Sequence, residues 1–330
     1  MKLVKTAPSS PLYIIAVGLT DPAPDSPPEL EPQLELVKRR SLAISYLEQE
    51  RSMVHLVGAI LDTKVRGVAE VRRIGERTEV RIWVDHLPHP QTIGVNYTSY
   101  VTWVLVPDGP VENVGRLHLK GRSAEIKIAV PYQTFGLIVT AEPHQLVKHP
   151  GPTVVAENIL DKHMNGRLVE YRGDPGLCAD QSLTPTLPDY ETPLCVLGAR
   201  RAVEIAWQAG AGQHAKVELR QAESELGMLE QLWPEYLRNS RDQKLRNMSL
   251  EVMRMAERAR ATAADRSAAV VAKRRAERAR QVEEAHLKIQ NYLATIVRYT
   301  TDLVQTLNPD EQALAQAEWI EAGEELLRKA

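Results

Sequence analysis

The sequence predicts an α+β multidomain protein, in which an N-terminal antiparallel β-sandwich of immunoglobulin-like type precedes a C-terminal elongated α-helical bundle or coiled coil. Three observations predict it. Short stretches between residues 65 and 156 alternate apolar and polar residues and are separated by glycine and proline, as antiparallel strands are. A proline-rich connector without periodicity follows. Residues 240–307 then contain neither glycine nor proline, which predicts a helix about 100 Å long.

The composition favours long helices over a large enzyme core. A chain of 330 residues with 43% hydrophobic residues can hold two cores, but only 5% of its residues are aromatic. Its net charge of −2 argues against a general polyanion binder, so we predict no nucleic-acid partner. No apolar run approaches the roughly 20 residues needed to cross a bilayer, and no transmembrane segment is predicted.

Residues 1–50 are predicted to form an N-terminal extension. Lys2 and Lys5 precede an apolar run at 11–19, and three interpretations stay open: a signal peptide, a first strand or a disordered segment. Proline and acidic residues at 21–32 indicate an extended linker. A short helix is predicted over 33–49.

Residues 51–160 are predicted to form the β-sandwich. Val80, Ile82 and Val84 alternate with polar neighbours, which places them on one face of a strand. Residues 74–77 are predicted to form the turn that precedes this strand. Further strands are predicted at 100–106, 114–119, 124–130, 134–141 and 153–156.

A connector is predicted over 161–196, with one possible hairpin arm at Arg167–Tyr171. It contains both cysteines, Cys178 and Cys195. In an oxidising compartment they could close a disulfide loop, and otherwise they would be two free thiols. The residue pattern leaves both alternatives open.

The helical domain is predicted to cover 197–330, with a pause at 210–212, a break at Pro234 and the long helix at about 240–307. A last helix follows Asn308, whose side chain can cap it while Asp310 and Glu311 lie at the positive end of its dipole.

The most informative part of the long helix is a seam of apolar residues spaced alternately by three and four. Such a seam packs lengthwise on another helix. The partner is predicted to be the C-terminal helix with Leu314, Trp319 and Leu326, the preceding helices, or another copy of the chain. The seam consists of Val282, Ala285, Ile289, Tyr292, Ile296, Tyr299 and Leu303.

A basic patch lies just before this seam. It could contact phosphate, anionic lipid or an acidic partner, but consecutive residues point around a helix, so we favour a solvated face. The patch consists of Lys273, Arg274, Arg275, Arg278 and Arg280.

The sequence contains no motif that identifies a catalytic or cofactor-binding residue, and we predict a non-enzymatic protein without cofactors. The nearest approach to a metal site is a set of histidines in predicted loops, together with Asp85. Scattered loop histidines are the usual explanation, so no metal site is predicted. The histidines are His86, His89, His144 and His149.

Two stretches at 97–115 and 135–143, followed by 154–158, carry a family resemblance. Their residues, which include Trp103, Asn113 and Glu142, resemble the anti-sigma-factor-like β-domains of bacterial envelope proteins. Residues 199–265 are similar to an Ala-rich helical domain of unknown function that often follows such a β-domain. An outer-membrane-protein-A-like domain, which often comes next, has no counterpart in the sequence. The resemblance implies a periplasmic location, and a cytoplasmic one stays open without a clear signal peptide.

Together these features predict a structural, scaffolding or assembly protein of the bacterial cell envelope. It would act through helix-mediated contacts with protein partners or itself, and a cell-wall polymer is a further possible partner. The alternative is a carbohydrate- or ligand-binding module that uses one end of the sandwich. Exposed aromatics around Trp83, Tyr97 or Tyr132 would favour that alternative.

Overall fold

The computed structural model describes residues 41–60, 64–159, 167–171, 183, 187–238 and 242–306, with 308–311, 313–315, 317, 318 and 321. The strands are β1 Ser41–Ser45, β2 Arg51–Gly58, β3 Arg66–Ile74, β4 Arg77–Asp85, β5 Ser99–Leu105, β6 Val111–Arg116, β7 His118–Lys120, β8 Ser123–Val130, β9 Thr134–Glu142, β10 Val154–Asn158 and β11 Arg167–Tyr171. The helices are α1 Pro90–Ile93, α2 Leu194–Gln208, α3 Ala211–His214, α4 Lys216–Arg238 and α5 Asp242–Gln305. The protein is therefore α+β, as the sequence predicts.

All the described strands belong to one antiparallel sheet. Its order is β11-β1-β9-β10-β2-β3-β4-β8-β7, and β5 pairs with both β9 and β6. The sheet curls until β6 approaches β8, since a methyl group built on Gly115 would lie 3.0 Å from Ile126 Cδ1. This nearly closed barrel means that the predicted two-sheet sandwich is not confirmed.

The barrel encloses a core formed by the inward faces of the strands. The alternation in β4 is confirmed, because Val80, Ile82 and Val84 are all buried. The predicted turn is also confirmed: Ile74 faces Arg77, and Gly75 has a φ of 58° that favours glycine. The remaining predicted strands are present as β5 to β10, except that the single strand predicted over 114–119 is divided between β6 and β7 at Leu117.

The prediction of a short helix over 33–49 is wrong for residues 41–49, which are the part of this segment that the structure describes. Residues Ser41–Ser45 form β1, which pairs with β9 and β11, and residues 33–40 lie outside the described part. Ala43 and Ile44 are fully buried in this strand. Pairing with strands far along the chain outweighs the weak local helix preference. The segment Arg167–Tyr171 is extended, as predicted, but as β11 it pairs with β1 instead of forming a hairpin within the connector.

The predicted helices are largely confirmed. Helix α5 is 64 residues long, about 96 Å, and its first part packs on α2 and α4 through small side chains. The predicted break at Pro234 is wrong, because α4 continues through it to Arg238. Buried Leu229 and Tyr236 hold α4 on both sides of this proline, and such packing can outweigh the hydrogen bond that proline removes. The buried alanines are Ala199, Ala202, Ala206, Ala222, Ala256, Ala259 and Ala263.

The start of the last helix agrees with the sequence. Asn308 Oδ1 accepts a hydrogen bond from the Glu311 backbone N–H at 3.0 Å, and Glu311 Oε2 accepts one from the Asn308 N–H at 3.3 Å. This reciprocal pair is a capping box. Among the helices that the structure describes, none has the length and apolar character needed to cross a membrane.

Candidate assembly surface

Helix α5 leaves the body of the protein after its first third. Ala263 is its last buried residue. One turn later, Arg266 donates hydrogen bonds to the His214 carbonyl at 2.7 Å and to Glu218 at 3.1 Å. Beyond this anchor, residues 267–305 extend for about 60 Å as a helix in which no described residue is buried.

The basic patch occupies the beginning of this projecting part. All five of its residues are exposed. Lys273 Nζ lies 3.9 Å from Glu277, and Arg280 donates to Glu284 at 2.9 Å, four residues further along the helix. Pairs at this spacing stabilise an isolated helix by about 0.2–0.5 kcal/mol each. The patch therefore has the character of a solvated spacer.

The apolar seam occupies the end of the projecting part, and every one of its residues is exposed. Val282 is 66% exposed, Tyr292 71% and Leu303 67%. Exposed Leu293 and Val297 lie beside the seam and widen it. We call this set of nine residues the distal seam: Val282, Ala285, Ile289, Tyr292, Leu293, Ile296, Val297, Tyr299 and Leu303.

The distal seam is not covered by the parts of the chain that the structure describes. Of the three alternative partners, the preceding helices do not cover the seam, because they pack only on the first part of α5. Leu314, on the predicted C-terminal helix, is 65% exposed. Trp319 and Leu326 lie outside the described residues. Large apolar side chains in one contiguous exposed stripe mark an interaction surface.

The first part of α5 is fixed to the barrel by a buried polar contact. His144 follows β9 and is fully buried, and its Nε2 lies 3.4 Å from Glu257 Oε1. The Leu146 N–H donates to His144 Nδ1 at 3.2 Å, which assigns the ring proton to Nε2, facing Glu257. Arg260 also pairs with Glu257 at 3.0 Å. Burial raises the pKa of Glu257, but His144 and Arg260 outweigh burial and leave this pKa below its usual value.

The polar residues of the resemblance motifs hold the barrel together. Trp103 Nε1 donates to Thr140 Oγ1 at 2.7 Å, and Thr140 donates in turn to Glu142. Glu142 also accepts from the Gly151 N–H at 2.7 Å. Asn113 Nδ2 donates to the carbonyl oxygens of residues 145 and 147. These contacts explain the motif residues as architecture.

The other predicted candidates are not brought together into a site. The described residues contain no group of three or more side chains able to hold a metal ion, and His144 instead faces Glu257. His89 contacts the Tyr190 ring with centroids 5.3 Å apart, and His149 is exposed. Cys195 carries a free thiol and Cys178 lies outside the described residues, so the disulfide and the two free thiols both stay predictions.

The aromatic residues that would favour carbohydrate binding are engaged within the fold. Trp83 is half-buried beneath Arg81, whose guanidinium carbon lies 4.5 Å from the ring centroid. The Tyr97 hydroxyl bonds Thr153 at 2.6 Å, and the Tyr132 hydroxyl donates to Glu112. None of the three rings is an exposed stacking platform.

Comparisons of the chain with protein-family models, with curated proteins and with solved structures found no match. The resemblance to envelope β-domains and the function that it implies therefore stay predictions.

Proposed function

We propose that this is a non-enzymatic scaffolding or assembly protein, in which several copies associate through the distal seam as a coiled coil. The observation that supports the proposal is the unbroken exposure of large apolar residues from Val282 to Leu303. The barrel and the first part of α5, joined by the contact between His144 and Glu257, form the head of the protein. The charged spacer would hold this head away from the point of assembly.

The spacing and charge of the seam favour a second copy of the chain as its partner. Its apolar residues follow the alternating three-and-four spacing that lets a helix pack along an identical helix. The stretch 282–303 has three carboxylates, Glu283, Glu284 and Asp302, against the cations Lys288 and Arg298. Two or more copies would therefore carry little mutual repulsion. The stretch is about 33 Å long, or roughly three heptads.

The width of the seam favours more than two helices. Leu293 and Val297 extend it beyond the two positions per heptad that line a two-stranded coiled coil. A helix with a face this wide is more fully covered in a bundle. We therefore expect an assembly of three or more copies.

Light scattering of the intact chain tests the proposal against a variant with Ile289→Asp and Ile296→Asp. We expect the wild type to have a multiple of the monomer mass and the variant to be a folded monomer, because a charge buried without a partner is costly. Leu287 offers a matched control: it is 58% exposed but lies on the opposite side of the helix. Leu287→Asp should leave the assembly intact.

Two outcomes would contradict the proposal. One is a wild-type monomer at every concentration; the other is an equal loss of mass in the control and the seam variant. A seam variant that fails to fold would indicate instead that the seam is covered within its own chain.

The cell envelope is the location that we propose, on the basis of the family resemblance. A protein with a head and a projecting assembly helix suits the joining of envelope components. Fractionation of the producing cells into periplasm and cytoplasm tests this location. Recovery in the cytoplasm would leave self-assembly intact and refute the envelope role.

A further inference from the structure

A large cleft lies between the barrel and the start of α5. Its volume is about 1010 Å³, at the upper end of the usual range for small-molecule sites. One wall is formed by β6, β7 and β8 and includes the apolar side chains of Leu117 and Ile126, and Leu250 of α5 also lines the cleft. Gln243, Arg246 and Asn247 enter it from the first two turns of α5.

The charge of this cleft is strongly positive. Arg116, Lys120, Lys127 and Arg246 line it, whereas Glu125 is its one carboxylate among the described residues. Glu125 is already engaged, because it lies 3.6 Å from Arg81 and 3.7 Å from Lys120.

The guanidinium groups of Arg116 and Arg246 lack a carboxylate partner within the described residues. Arg246 donates only to the neutral Gln243 side chain at 3.1 Å, and the guanidinium group of Arg116 makes no hydrogen bond or ion pair with the described residues. Arg116 is half-buried, and burying a cation without a counterion is costly. An anion bound between the two groups would remove that cost.

A local irregularity in β6 sets the position of Arg116. The register between β5 and β6 shifts by one residue: Thr102 faces Gly115, while Trp103 faces Asn113. Asn113 Oδ1 accepts from the Gly115 N–H at 3.0 Å, and Gly115 has a φ of 123°, which favours glycine. Bulges of this kind redirect the following side chain and are common beside functional sites.

We propose that this cleft binds a small phosphate-bearing molecule of about nucleotide size, held by Arg116 and Arg246. Guanidinium groups form paired hydrogen bonds with phosphate oxygens. The apolar side chains of the β6–β8 wall would contact the uncharged part of the ligand. This site is separate from the distal seam and does not rest on the proposed assembly.

The electrostatics of the cleft support the same conclusion. Burial lowers the pKa of Arg116; Cys195 acts to raise it, and the charge of Arg246 lowers it further. The pKa of His118 is lowered by burial first and then by the same two arginines. Glu125, which raises the pKa of His118, is the one carboxylate in the described lining and already pairs with Arg81 and Lys120, so an anion would still be favoured beside Arg116 and Arg246.

Calorimetric titration of the intact chain with pyrophosphate and with AMP tests the proposal. We expect both probes to bind and Arg116→Gln to weaken binding about tenfold or more, because a charge-assisted hydrogen bond is lost. Arg246→Gln should have a similar effect. Since Arg246 is exposed, that variant is expected to fold normally. The matched control is Arg258→Gln, an exposed arginine of the same helix outside the cleft, and it should bind like the wild type.

Thermal unfolding without ligand gives a second measurement. Arg116→Gln should be at least as stable as the wild type, because it removes a half-buried cation without a partner, and it should lose the stabilisation that AMP gives the wild type. Absence of binding at millimolar probe concentrations would overturn the proposal. So would equal affinities of the cleft variants and the control, or tighter binding of citrate than of either phosphate probe.

Discussion

Replacing Gly198 by alanine is expected to destabilise the junction between α2 and the barrel. A methyl group at this position would lie 2.9 Å from Met253 Cε and 2.9 Å from Thr98 Oγ1. The end of Met253 can move, but the buried Thr98 hydroxyl is held by a hydrogen bond to the Pro143 carbonyl at 2.7 Å. Overpacking of this kind costs about 1–3 kcal/mol. The gain from alanine in a helix, about 1 kcal/mol, offsets only part of it.

Gly227 provides a matched control on α4. A methyl group there meets nothing within 4 Å, so Gly227→Ala should stabilise the protein by about 0.5–1 kcal/mol. The two variants should therefore differ by about 2 kcal/mol in the free energy of unfolding. Urea unfolding at one fixed protein concentration measures this difference. A Gly198→Ala variant as stable as Gly227→Ala would refute the close packing of α2 on the barrel.

Two further substitutions test the barrel and its contact with α5. Glu257→Gln should be less stable than the wild type at pH 7. The pKa of Glu257 is lower in the folded than in the unfolded state, so its charge stabilises the fold at pH values above the unfolded-state pKa of about 4.3. The difference in stability between the wild type and Glu257→Gln should therefore shrink as the pH falls through the folded-state pKa. Urea midpoints at pH 7 and at about pH 3.5 measure this difference, and an unchanged difference would contradict the contacts of Glu257 with His144 and Arg260. Gly136→Ala should destabilise by about 2 kcal/mol or more, because its methyl group would collide with the Leu42 carbonyl oxygen and separate β1 from β9. Thermal unfolding detects this loss, and an unaltered melting temperature would exclude the pairing.

The parts of the fold that were predictable depend on signals between neighbouring residues. The alternation around Val80 fixed the face of β4, and Gly75 marked its turn. The absence of glycine and proline marked α5, and Asn308 marked the next helix start. Each of these signals lies within a few residues of the structure it determines.

The features that were missed depend on contacts between distant parts of the chain. Residues Ser41–Ser45 become a strand only because β9 and β11 pair with them. Pro234 stays helical because α4 packs on α5 on both sides of it. The connection of all strands into one nearly closed barrel likewise follows from the pairing of β9 with three other strands.

Of the two candidate sites, one could be predicted from neighbouring residues and the other depends on distant parts of the chain. The distal seam was visible in the sequence because its period is local, although the lack of a covering helix was not. The cleft went unnoticed because Arg116 and Arg246 belong to elements far apart in the chain. The one local signal for the cleft was Asn113 two residues before Gly115, because an asparagine side chain can accept a hydrogen bond from the backbone N–H two residues further on.

Backbone hydrogen exchange along α5 at low and high protein concentration tests self-assembly most directly. We expect exchange over residues 282–303 to slow as the concentration rises, because a lone projecting helix opens readily whereas a bundled one is protected. Residues 245–263, which are packed on α2 and α4, should exchange slowly at both concentrations. Exchange over 282–303 that stays equally fast at every concentration would contradict self-assembly through the distal seam.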